Sequence, residues 1–204
     1  GVADPSAYYG VVGVDNFSAG KSGGEYAVEL LNGKGKVGIM TMPGVNVHEE
    51  RTDGYLSVFN EYPDIEVVAE VNTQADASKG VTAASALIQS NPDLDLIVAT
   101  DATGGASAAR AVMETGKIGE VKIIGMDRDE DLLEFIEMGV VTATLAQRSY
   151  LEEWLCVHYL YWHNHNMIKD LSSSAEFNAI QIPPYTNTGV IIVNEDNVSA
   201  FRKD

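Results

Sequence analysis

Short apolar runs alternate with helical stretches along most of this chain. That alternation constrains the fold more than any other feature. Runs at residues 37–42, 65–71, 94–100, 121–126, 141–146 and 189–193 have the length and apolar content of buried strands. Between them lie helical patterns at 17–31, 47–62, 76–90, 104–115 and 129–138. Strand, helix and strand in succession imply right-handed crossovers. The predicted class is therefore α/β, a parallel sheet with helices on both faces.

The inward faces follow from the periodicity. In the first helix they are Ala19, Gly23, Tyr26, Ala27, Leu30 and Leu31, with Asn16 as the N-cap and Asn32-Gly33 as the stop. In the second they are Val47, Arg51, Tyr55, Val58, Phe59 and Tyr62, with Pro63 ending the helix. Asp76 is expected to cap the third helix, whose inward residues are Val81, Ala84, Leu87 and Ile88. After Gln147 the character changes. A long helix over 150–168 carries Leu151, Trp154, Leu155, Tyr159, Leu160 and Trp162. A polar stretch at 172–174 follows, then Pro183-Pro184, the last strand, and a short helix from Asn194 or Asp196.

Four polar residues fall where successive strands end. Arg51 lies early in the helix after the 37–42 run, Asp101 and Asp127 directly follow runs, and Gln147 closes one. In an open parallel sheet, ligands bind in the crevice beyond the carboxyl ends of the strands. Two carboxylates, a guanidinium and an amide can hydrogen-bond several hydroxyls of one small polar molecule. Each residue also has a plainer reading. An aspartate at such a position caps the next helix. A buried arginine can belong to a structural ion pair, because burying it unpaired is costly. A metal pocket built on the two aspartates lacks a lysine at a further strand end.

Other chemistry finds little support. His158, His163 and His165 share a helix end with Asn164 and Asn166, but no carboxylate or thiolate completes a tetrahedral set, so no metal or other cofactor is expected. No Gly-x-Ser-x-Gly elbow is present, and no nucleophile–base pair points to an enzyme. The glycine-rich stretch from Gly20 to Gly24 follows a helix start and not a strand, so it does not read as a phosphate loop. A net charge of −17 with no basic cluster argues against nucleic acid as a partner. Apolar residues at 45% are enough for a packed core. Cys156, the one cysteine, excludes an intrachain disulfide and reads as a small buried hydrophobe. No stretch is long and apolar enough to span a bilayer. The opening, Gly1 to Pro5, has loop composition and looks like a cut point, with a targeting segment expected upstream.

Several motifs, in this order and spacing, carry a resemblance. They are Gly13-Val14-Asp15-Asn16 with Ala19-Gly20, Gly35-Lys36-Val37, Glu50-Arg51-x-x-Gly54-Tyr55, Pro92-Asp93-Leu94-Asp95, Gly125-Met126-Asp127 and the run from Ala143 to Gln147. Together they resemble the ribose/galactose-type periplasmic sugar-binding proteins of ABC importers. The resemblance implies a flavodoxin-like lobe, the second lobe of a type I periplasmic binding protein. In that family two lobes are joined by three crossover strands and the sugar lies between them. The resemblance implies that Arg51, Asp101, Asp127 and Gln147 bind the ligand. Asp101 departs from the family's asparagine, which replaces a donor–acceptor by a pure acceptor. Ala75 stands where many members place an aromatic residue against the sugar.

The implied division is 1–13 as tail of the first lobe and hinge, 14–147 as the second lobe, 148–188 as a segment of the first lobe, and 189–204 as a return. Most of the first lobe would precede Gly1. The implied function is extracytoplasmic binding of a monosaccharide or related polyol for ABC import, in the periplasm or at a lipid-anchored extracellular site. The permease is then a partner. The apolar helix at 150–168 needs a cover as well: the first lobe, a second copy of the chain, or its own sheet in a position unlike the family's. The alternative in the same fold is the effector or sensor domain of a lactose-repressor-type regulator or signalling receptor.

Overall fold

A computed structural model describes residues 9–165, 167 and 182–202. The opening residues, Ile168 and the polar stretch at 172–174 lie outside the described residues. The elements run β1 (Val11–Gly13), α1 (Asn16–Leu31), β2 (Gly35–Thr41), α2 (Asn46–Phe59), β3 (Ile65–Asn72), α3 (Ala77–Ser90), β4 (Leu96–Ala99), α4 (Ala102–Glu114), β5 (Lys122–Met126), α5 (Glu130–Glu137), β6 (Ala143–Gln147), α6 (Ser149–Asn164), β7 (Tyr185–Asn187) and β8 (Val190–Asn194). A short 3-10 turn, Val198–Phe201, closes the series. Among the described residues no helix is long and apolar enough to cross a membrane.

The chain divides into two compact units. The larger holds 16–146 and 191–204, and the smaller holds 1–15 and 147–190. In the larger, six strands form one sheet in the order β3-β2-β4-β5-β6-β8. β2 pairs in parallel with β3 and β4, β4 with β5, and β5 with β6. This is the flavodoxin-like strand order, and its reversal falls between β2 and β4. The main core lies under α3, α4 and α5. Ala84, Leu87, Ala108, Val112, Leu132 and Ile136 pack there against Met40, Ile97 and Ile123. Asp76 caps α3 as expected, accepting from the Lys79 amide at 2.9 Å.

The opposite face is covered by α1 and α2, and here the expected inward faces need correction. The buried stripe of α1 is Ala19, Gly20, Gly23, Gly24, Ala27, Val28 and Leu31, while Tyr26 and Leu30 are half-buried. Val47 is also half-buried, and Tyr62 lies beyond the end of α2 and is exposed. The reason is that the two helices approach closely, and small residues permit that where large ones do not. A Cβ on Gly20 would collide with the Arg51 carbonyl, one on Gly23 with the Tyr55 phenol, and one on Gly54 with the Phe17 carbonyl. The glycines between 20 and 24 therefore serve helix packing.

Among its described residues the smaller unit holds α6 and a two-stranded parallel ribbon, β1 with β7, registered Val11 to Tyr185. Neither strand shows in the sequence pattern, since three residues are too few for periodicity. In α6 no residue is buried. Trp154 is 44% exposed and Leu160 is 55% exposed. Cys156 is also exposed, against the expectation of burial. It borders an apolar groove of about 300 Å³ with Tyr9, Val12, Tyr159, Leu160 and Ile182. Among the described residues little covers this helix. An apolar helical pattern shows that burial is needed without showing that it is met.

Tyr55 tests the packing account. Its side chain is 1% exposed, and its hydroxyl has no partner among the described residues. Burial raises its pKa, against a smaller lowering influence from Arg51. A buried unpaired hydroxyl costs about 1–3 kcal/mol. Tyr55→Phe should therefore leave stability unchanged or raise it by about 1 kcal/mol in urea denaturation. Gly54→Ala should lower it by about 1–3 kcal/mol, because overpacking outweighs the gain in helix propensity. A stabilised Gly54→Ala variant would refute the close-approach explanation.

Candidate functional site

The reversal of strand order leaves a crevice beyond the carboxyl ends of β2 and β4. Arg51 enters from the second turn of α2, just after β2, and Asp101 follows β4 by two residues. Asp127 directly follows β5, and Gln147 is the last residue of β6. Arg51, Asp101 and Asp127 thus share one edge of the larger unit. Gln147 ends the strand next to β5 and is half-buried.

Arg51 is 7% exposed and is not left bare. Its Nε donates to Asn16 Oδ1 at 3.0 Å, and its Nη1 donates to the Thr100 carbonyl at 2.8 Å. Three of its five N–H bonds have no acceptor among the described residues. Burial lowers the guanidinium pKa. The influences that oppose this are Asp127 first, then Tyr55, Asp101 and Glu50. Asn16 was expected to cap α1, but it is the first residue of that helix. Its amide reaches across instead, accepting from Arg51 and donating to Glu50 Oε2 at 3.2 Å. The close approach of α1 and α2 makes this possible.

Hydroxyl groups brace the base of the crevice. Thr100 Oγ1 donates to Thr41 Oγ1 at 3.0 Å, and Thr41 and Thr52 share a hydroxyl bond of 3.0 Å. Thr52 Oγ1 also donates to the His48 carbonyl at 2.9 Å. All three threonines are buried. This chain ties β2, β4 and the first turns of α2 together, and so fixes where Arg51 emerges. His48 adds a further tie, its Nδ1 lying 3.0 Å from the same Thr100 carbonyl that Arg51 uses.

Asp101 meets its plainer sequence reading, that of a helix cap. It caps α4, its Oδ1 accepting from the Thr103 amide at 2.9 Å, the Gly104 amide at 3.0 Å and Thr103 Oγ1 at 2.6 Å. Its Oδ2 accepts from Thr73 Oγ1 at 2.7 Å and keeps room for one more donor. Thr73 opens a tight turn in which Gln74 and Ala75 have φ of 55° and 51°. Two successive left-handed residues, neither of them glycine or asparagine, store strain beside the crevice. Asp127 is left-handed too, at φ 70°. Aspartate tolerates that conformation better than most residues. The Asp127 amide bonds the Leu145 carbonyl at 2.9 Å, and its own carbonyl accepts from Thr144 Oγ1 at 2.8 Å.

Sequence reasoning missed Asn16, His48, Thr73 and Thr100 as members of this cluster. Their shared signal is position, since each lies within a few residues of an element end at the carboxyl edge. Among the described residues no group of three His, Cys, Asp or Glu side chains could hold a metal ion. The helix-end histidines make local contacts. His158 Nδ1 lies 2.7 Å from the Trp154 carbonyl and its ring stacks on Trp154, while His165 stacks on Tyr161.

Comparison with known proteins gives a consistent picture. A family model described as periplasmic binding protein domain matches residues 2–163. The D-allose-binding periplasmic protein of Escherichia coli K12 is 30% identical over 138 residues, 67% of this chain and 44% of that protein. The ribose import binding protein RbsB of Bacillus subtilis is 27% identical over 139 residues, 68% of this chain and 44% of that protein. The chain therefore spans under half the length of these curated relatives. Among solved structures, the arabinose-binding protein AraP of Geobacillus stearothermophilus superposes with a TM-score of 0.89 at 33% identity. That match covers 96% of this chain and 66% of AraP. These relatives are named as solute-binding proteins and not as enzymes.

Asp129 reports on the electrostatics of this edge. Burial first, then the neighbouring charges of Asp127 and Asp131, raise its pKa above the ordinary 3.8. It binds its proton more tightly in the folded chain than in the unfolded one. Its ionised form therefore lowers stability fully above the folded pKa, and not at all below the unfolded value. Its side chain makes no cap bond to α5. Asp129→Asn should raise Tm modestly at pH 7, and the gain should vanish below pH 3.8. A gain that persists in acid would show that charge is not the cause.

Proposed function

From the premise that this chain belongs to the periplasmic binding protein family, we propose that it binds a monosaccharide or related polyol through Arg51, Asp101, Asp127 and Gln147. The observation that carries this reading is the half-used donor and acceptor set at the carboxyl edge. Arg51 retains N–H groups beyond its two bonds, and Asp101 Oδ2 retains an acceptor position. Vicinal hydroxyls of a sugar both donate and accept, so they complement a cation and carboxylates together. Hydrogen bonds to charged groups contribute about 1.5–3 kcal/mol each. The buried threonine chain holds these groups in place before the ligand arrives, which limits the ordering cost of binding.

Within the whole protein, this reading makes the chain the sugar-binding component of an ABC importer. It would act outside the cytoplasm, in the periplasm or at the cell surface on a lipid anchor, and deliver its ligand to a permease. The relatives' names support that role. The reading also assigns 14–147 with 189–204 to the second lobe, and 1–13 with 148–188 to the hinge and first lobe. The compact units found by contact support this division without matching it residue for residue. The exposed apolar flank of α6 favours cover by further first-lobe polypeptide or by a second copy of the chain.

NMR titration of the chain with D-ribose, D-allose and D-arabinose tests the reading. One of these should shift the amides of residues 100–104 and 127 saturably at millimolar concentration or below. Arg51→Met and Asp127→Asn should each weaken binding about 10-fold or more, the loss of one hydrogen bond to a charged group. Amides at this edge that ignore all three sugars would refute it.

A further inference from the structure

We infer that His48 is a further ligand-contacting residue of this site, accepting a sugar hydroxyl hydrogen at Nε2. The inference rests on the monosaccharide reading and adds to it a residue that the sequence motifs do not mark. Its basis is the tautomer. Nδ1 of His48 lies 3.0 Å from the Thr100 carbonyl oxygen, which can only accept. Nδ1 must therefore carry the hydrogen, and in the neutral ring Nε2 is then an acceptor. Nε2 has no partner among the described residues. The buried polar side-chain atoms without partners there are Tyr55 Oη and His163 Nδ1, so Nε2 of the half-buried His48 is within reach of solvent.

Its placement supplies the rest. His48 and Arg51 stand one turn apart on α2, and both donate to the Thr100 carbonyl. The ring is pinned on one side by that bond. The His48 backbone is pinned by the Thr52 hydroxyl, which is anchored in turn through Thr41 to Thr100. An imidazole held at both points presents Nε2 in a fixed direction, on the same helix one turn from Arg51. The site then offers a neutral acceptor next to a charged donor. A sugar hydroxyl can donate to His48 and still accept from another donor, so a polyhydroxylated ligand can use both groups.

The test is the imidazole nitrogen spectrum of the 15N-labelled chain, with and without the sugar that shifts the Asp127 amide. In the free chain His48 should show a protonated Nδ1 and an unprotonated Nε2. Saturating sugar should move the Nε2 resonance in the direction of hydrogen bonding. His48→Asn keeps a donor where Nδ1 stood and removes Nε2, so it should bind the same sugar about 5-fold more weakly with unchanged Tm. A sugar that shifts the Asp127 amide but leaves Nε2 unmoved, or an Nε2-protonated free state, would overturn this assignment and leave the monosaccharide reading standing. Equal affinity in a folded His48→Asn variant would overturn it as well. No shift anywhere at this edge would overturn both.

Discussion

Burying the guanidinium of Arg51 is the constraint around which the carboxyl edge is arranged. A charge taken out of water is strongly unfavourable unless hydrogen bonds and opposite charges replace the solvent. Two groups make direct bonds here, the Thr100 carbonyl from the sheet and Asn16 from a separate helix. Asn16 can reach because α1 lies nearly in backbone contact with α2. That approach depends on Gly20, Gly23, Gly24 and Gly54. A stretch of small residues with no chemistry of its own thus sets the position of the one buried arginine among the described residues.

The remaining charges act at longer range. Asp127 leads the influences that hold the Arg51 cation, ahead of Asp101. Asp101 has most of its acceptor capacity committed to the N-terminus of α4 and to Thr73. One carboxylate is therefore chiefly a structural cap with a single open position, while the other sits in a left-handed turn after its strand. The arrangement is polar and held by the surrounding fold, and Arg51 keeps N–H groups beyond its two bonds, which is the feature on which the proposed binding of a neutral polyhydroxylated molecule rests. The net charge of −17 adds to this, since it disfavours anionic ligands without affecting neutral ones.

The smaller unit behaves differently. Its two strands are three residues each and its helix buries no side chain. The rings along α6 stack on one another, Trp154 on His158 and Tyr161 on His165, which covers part of each ring at the expense of none of the exposed aliphatic residues. Among its described residues there is no core of the kind beneath α3, α4 and α5, where buried apolar area supplies the stability.

The alternation of buried strands and amphipathic helices was legible in the sequence because a strand covered on both faces must be apolar throughout. The same pattern located Asp101, Asp127 and Gln147 at strand ends and Arg51 early in the helix after one, since position along the chain fixes which edge a residue reaches. Local sequence also determined the Asp76 cap, whose partner is three residues away. It did not determine exposure. Cys156 and Trp154 sit in an apolar helical pattern yet remain open, because burial depends on what lies opposite in space. Nor did it determine that Asn16 serves Arg51 and not its own helix, that Thr73 bonds Asp101, or that His48 and Arg51 share one carbonyl. Those pairs are separated by 28 to 52 residues along the chain. Tertiary structure alone decided them, because a hydrogen bond forms between groups that the fold brings within about 3 Å, whatever their distance in sequence.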